Sequence, residues 1–164
     1  MEQLTDVAAA IWEWAWARHH NPLSWYVRPL LLIPFCFFAW RRSLWGVALS
    51  LAAILTSMAW FPAPEIPDPR AAEFLRHERD YLSGPWTPLK ILMALTVPVF
   101  LGALALAFWK RSWLHGLAIA NAGALFKIGW SFLYGGDSGW SVVAPALIGL
   151  ILLDVAVLST VWRV

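Results

Sequence analysis

Five runs in this chain stay almost free of charge for 19 to 24 residues each: Pro22 to Trp40, Ser43 to Phe61, Pro88 to Trp109, Trp113 to Gly135 and Gly139 to Trp162. Wound as helices rising 1.5 Å per residue, such runs match a hydrocarbon core of about 30 Å. They are continuously apolar rather than alternating, which argues against a strand-built barrel. Lipid then leaves the helix as the form that satisfies each backbone group locally. Composition agrees. Of 164 residues, 60% are hydrophobic and 13% charged, too little polar surface to cover a soluble globule and too much apolar surface for disorder. The expected fold is an all-α integral membrane protein, a five-helix transmembrane bundle forming a single membrane domain over residues 1–164.

The punctuation of these runs is equally specific. Asn21-Pro22, Asp68-Pro69 and Thr87-Pro88 each set a capping side chain before a proline at the first helical position. Two further segments read as amphipathic helices lying on the membrane surface. One is Thr5 to His20, with Trp12, Trp14 and Trp16. The other is Pro69 to Leu82, with Ala71, Phe74, Leu75 and Leu82 on one stripe. Pro62 to Pro69 carries four prolines and predicts a stiff connector.

An internal repeat joins the spans. Trp40-Arg41-Arg42-Ser43-Leu44-Trp45 is echoed by Trp109-Lys110-Arg111-Ser112-Trp113-Leu114, and Gly46 and Gly116 each precede a tryptophan, Trp60 and Trp130, by fourteen residues. Residues 22–61 and 88–135 therefore read as duplicated helical hairpins, with 139–162 as a fifth span. In this alignment Ser57 of the first hairpin stands where the second has Lys127.

Basic residues orient the bundle. Arg41-Arg42, Lys110-Arg111 and Arg163 fall on one side without acidic neighbours, whereas the acids gather on the other. The positive-inside rule puts the basic turns in the cytoplasm and the amino terminus and both surface helices outside. The expectation is a multi-pass protein of a cell membrane, the bacterial inner membrane. Trp40, Trp45, Trp109, Trp113 and Trp162 would line the inner boundary, with Trp12, Trp14, Trp16, Trp25, Trp60, Trp86 and Trp140 at the outer one, as an aromatic belt. A net charge of +2 with no basic cluster longer than two residues argues against nucleic acid. Cys36 is alone and reads as a small core hydrophobe. Glu2 and Asp6, where a secretory signal would be basic, argue against a cleaved leader.

Charges inside the spans are the sharpest functional clue, because each is costly in lipid unless paired. Lys127 shares a stripe with the small residues Gly116, Ala120 and Gly123, so it is expected to face the bundle, about 12 Å below the end of its span. Arg28 lies in the outer third of its own span. Together they predict a positive pocket suited to a carboxylate or phosphate, with Asp137, in the Gly135 to Gly139 turn, as the nearest acid. Snorkelling of both long side chains to the interface is the plainer alternative. Asp154 lies about 10 Å deeper than Lys127, among Leu147, Ile151 and Leu158, and so is expected to face a second subunit or partner, or to stay protonated.

Glu73, His77 and Asp80 fall at i, i+4 and i+7 on one helix, a weak metal-ligand spacing for which a solvated face paired with Arg76 and Arg79 is favoured. No metal or cofactor is expected. Walker, dinucleotide, HExxH and GxSxG patterns are absent, which leans against an enzyme. The expected function is binding or transport of a small anionic or amphipathic, lipid-like molecule. The alternative is a non-catalytic accessory or scaffold subunit. Membrane lipids and a homo-oligomer or membrane partner protein are the expected partners.

Overall fold

The computed structural model of the protein describes residues 2–161, with side chains from Thr5 to Ser159; the Glu2 and Arg163 charges and the Trp162 ring lie outside them. Eight α-helices and no strand occur among the described residues: α1 (Glu2–His19), α2 (Pro22–Leu30), α3 (Leu32–Trp40), α4 (Leu44–Thr56), α5 (Pro69–Ser83), α6 (Pro88–Trp109), α7 (Trp113–Gly135) and α8 (Trp140–Val161). Three stretches are long and apolar enough to cross a membrane: Pro22–Trp40, Pro88–Trp109 and the 47-residue helical stretch Trp113–Ser159. They mark the chain as a membrane protein.

The helix starts form where the sequence places them. Asn21, Asp68 and Thr87 each accept a hydrogen bond from a first-turn backbone N–H, of Leu23, Ala71 and Lys90 respectively. Each satisfies a donor that the helix itself leaves unpaired.

Two elements depart from the expected spans. The first span is broken between α2 and α3 at Leu31, because Pro34 brings no N–H to the carbonyl of Leu30 and its ring crowds that carbonyl. The second is shorter than the expected Ser43 to Phe61. After α4 the chain tightens into a 3₁₀ turn over Ser57–Ala59, and the apolar helix ends there at a length of about 26 Å. The Ser57 hydroxyl donates to Ile54 O at 2.8 Å, and Pro62 follows three residues after the turn.

The basic turns share one geometry. Arg42 N–H donates to Ala39 O and Ser43 N–H to Phe38 O, and 69 residues on Arg111 N–H donates to Phe108 O and Ser112 N–H to Ala107 O. Arg42 and Arg111 carry φ of 54° and 57°. This is the left-handed helix ending usually given to glycine, in both cases with arginine. The third reversal, between α7 and α8, uses glycine itself: Gly136 has φ of 51°.

Helix α3 packs on α4 and α6, α6 on α7, α7 on α8, and α2 on α8. The core joins Phe35, Cys36 and Ala39 of α3 to Ile54, Leu104, Phe108, Ala120, Leu153 and Val157. At Gly149 of α8, an added Cβ would lie 2.4 Å from Pro29 Cβ, so only glycine lets α2 lie this close. That contact fixes the helix carrying Arg28.

Candidate functional site

The end of the bundle opposite the two basic turns holds the buried polar groups. Helix α1 is tied there by Arg18, whose Nη1 donates to Ala59 O at 3.4 Å and Phe61 O at 3.2 Å. Asn21 Nδ2 donates to Pro62 O at 3.0 Å. Trp25 Nε1 donates to His19 O at 2.8 Å, locking the start of α2 against the end of α1. An aromatic row then crosses three helices: Trp12, Trp16, His19, Trp25 and Phe74 follow one another with ring centroids 5.4 to 6.0 Å apart.

Arg28 and Lys127 meet at the far end of this row. Arg28 Nε donates to the buried Ser57 Oγ at 3.3 Å. Lys127 Nζ lies 5.4 Å from the centroid of Phe74, on α5. Glu78, one turn after Phe74, acts electrostatically on both cations, and Arg28 acts in turn on Lys127. Glu78 Oε2 also lies 4.0 Å from His19 Nε2. Four helices thus supply four titratable groups: His19 from α1, Arg28 from α2, Glu78 from α5 and Lys127 from α7. Among the described residues, Lys127 Nζ has no hydrogen-bond acceptor, and Arg28 donates only through Nε. Three N–H donors of an ammonium and the four on the outer guanidinium nitrogens remain for something else.

His19 is the electrostatic complement. Burial is the main force lowering its pKa to about 3, and Arg28, His20 and Lys127 add repulsion against the charged form. It is therefore neutral at physiological pH. The site as built holds two cations against one acid.

The other sequence candidates lie apart from this cluster. The exposed Asp137 sits in the 3₁₀ turn Gly136–Gly139 and pairs with neither cation. Asp154, which the sequence left without a partner inside the subunit, accepts from Asn121 Nδ2 at 3.3 and 3.2 Å, across the α7–α8 contact. Asn121 lies sixteen residues before Asp137 and Asp154 sixteen after Ser138, so an equal count outward from the turn would have matched them. Glu73 Oε1 lies 4.0 Å from His77 Nε2. Among the described residues no three His, Cys, Asp or Glu side chains stand together as a metal site.

A buried cation escaped the sequence reading, whereas Arg28 is half-buried and Lys127 exposed. Lys90, 5% exposed, donates from Nζ to Leu82 O at 3.1 Å, Gly84 O at 2.8 Å and Tyr81 O, closing the carboxyl end of α5. Its ammonium also lies 4.5 Å from the Trp86 ring centroid and 4.9 Å from that of Tyr81. With its donors so engaged, Lys90 is a helix cap that fixes α5 over the site. The sole signal in the sequence is a lysine three residues after a capping threonine.

No protein-family model matches the chain, and no curated protein or solved structure matches it significantly.

Proposed function

We propose that the protein binds a small oxyanion or anionic amphiphile, a lipid headgroup or a soluble solute, at Arg28 and Lys127, and that binding or transport of this molecule is its function. The observation that carries this reading is the set of unpaired donors on the two cations, facing one acid and a neutral histidine. A ligand with one negative charge would balance the site, and a carboxylate or phosphate suits the planar fork of Arg28 beside the point charge of Lys127. In this reading the chain crosses the membrane five times, α4 being a short crossing, and its hairpins arose by duplication. The basic turns face the cytoplasm, so the site opens outward with α1 and α5 over it. The matching turns at Arg42 and Arg111 support the duplication.

Replacing Lys127 by Met keeps length and removes the charge. Protein in detergent is titrated with inorganic phosphate, and protein in phosphatidylcholine nanodiscs is compared with and without phosphatidylglycerol. For whichever probe the wild type binds, Lys127→Met is expected to lose tenfold or more in affinity, about 1.4 kcal/mol or above. Its melting temperature should hold or rise, and Leu125→Met should alter neither. Undiminished binding by Lys127→Met would sink the reading. A second protein copurifying in fixed ratio, with neither probe bound, would favour the accessory-subunit alternative.

A further inference from the structure

The acid of this site belongs to α5, which is not among the three stretches able to cross a membrane. Helix α5 packs on α7 and α8 and on the Gly136–Gly139 turn, with Ala71, Phe74 and Leu75 buried. Phe74 and Glu78 are four residues apart and share its inner face. Phe74 takes the Lys127 ammonium against its ring, while Glu78 reaches toward His19. The Glu78 carboxylate therefore lies between α1 and α7, beside the two cations.

Its hold on them is loose. No nitrogen of Arg28 or Lys127 comes within 4.0 Å of a Glu78 oxygen among the described residues, and neither Glu78 oxygen accepts a hydrogen bond there. Attraction through space without contact is weaker than the charge-assisted hydrogen bonds an untethered oxyanion could form with the same donors. The Glu78 side chain also keeps 36% of its surface exposed, so it can turn to solvent while α5 stays in place. Lys90 holds one end of that helix, and the Arg79 guanidinium pairs with the Glu13 carboxylate of α1 beside it.

We infer that Glu78 is the site's own resident anion, and that its charge, held near Arg28 and Lys127 without touching either, opposes the entry of an incoming oxyanion. This deepens the function proposed above and rests on it. Glu78 then sets the affinity threshold: ligands able to contact both cations overcome its repulsion, whereas weakly coordinating anions do not. Its charge also gives the empty site a nearby counter-charge for cations that would otherwise stand alone in the membrane.

The test compares wild type, Glu78→Gln and Glu78→Asp in the same two formats, inorganic phosphate in detergent and phosphatidylglycerol in nanodiscs. Glu78→Gln is expected to bind the effective probe at least tenfold more tightly. Glu78→Asp keeps the charge but withdraws it by one methylene, so it should tighten binding by a smaller factor; it carries the test alone if the glutamine variant does not fold. A response to phosphate would identify a soluble oxyanion, and a response to phosphatidylglycerol alone a lipid headgroup. Wild-type binding that the variants leave unchanged, or weaken, overturns the resident-anion inference and leaves the proposed function standing. Binding by none of the three proteins overturns the proposed function and the inference with it.

Discussion

The two ends of this bundle hold the same kinds of cation in opposite circumstances. At one end Arg42 and Arg111 are exposed in tight turns that repeat each other's hydrogen bonds. At the other, Arg28 and Lys127 come from different helices and share the field of one acid, Glu78, that neither of them touches. At the first end the charge serves the water-facing side of a turn, and its backbone geometry matters more than its ammonium or guanidinium. At the second, the charge sits within a spanning segment and needs a counter-charge. Position relative to the membrane, rather than residue type, divides the roles.

The largest effect should come from exchanging residues between Ser57 and Lys127, which the repeat in the sequence aligns. Ser57 is fully buried and accepts from Arg28. Ser57→Lys would bury an ammonium against that guanidinium, and should destabilise the protein by about 3–5 kcal/mol in thermal melts. The reciprocal change, Lys127→Ser, should shift stability by less than about 1 kcal/mol. Equal effects from both substitutions would remove the asymmetry between the two positions.

A smaller effect is expected at acid pH, through His19. Its folded pKa of about 3 lies below the ordinary 6.5, so the unfolded chain takes up a proton that the folded one refuses. Stability contributed by the neutral ring is complete above pH 6.5 and declines as the pH falls toward 3, by about 2 kcal/mol at pH 5. The groups facing it are Glu78, Arg28, His20 and Lys127. Melting temperatures followed from pH 7.5 to 5 should drop in wild type and flatten in His19→Gln. A wild-type profile as flat as the variant's would show that the ring is not held neutral.

The smallest effects belong to the basic turns. Left-handed backbone costs a non-glycine residue about 1 kcal/mol, so Arg42→Gly and Arg111→Gly should each stabilise by about 0.5–1 kcal/mol. The two increments should be equal if the shared hydrogen-bond pattern reflects shared strain. Unequal increments would separate the two turns energetically.

Much of the helical frame was legible because its signals are local. A capping side chain followed by proline marked Pro22, Pro69 and Pro88, and hydrophobic run length marked the three stretches able to cross a membrane. Shortening of the second span was less visible, since Ser57 bends the helix through a hydroxyl-to-carbonyl bond within one turn. In the candidate site, Arg28 and Lys127 stood out as charges in apolar runs. Glu78 and His19 did not, because each is an ordinary residue of a polar surface helix until α1 and α5 fold onto α2 and α7. Asn121 was overlooked for a different reason: an amide raises no alarm by charge, and its value emerges only beside Asp154.

The attachment of α1 has a consequence for how the chain is made. Arg18 and Asn21 dock on carbonyls of Ala59, Phe61 and Pro62, some forty residues downstream. At synthesis rates of about 5–20 residues per second, the first helix therefore waits about 2–8 s before its seat exists. During that interval Val7, Ile11, Trp12 and Trp14, exposed apolar side chains even in the finished protein, are what the nascent segment can offer to the bilayer surface.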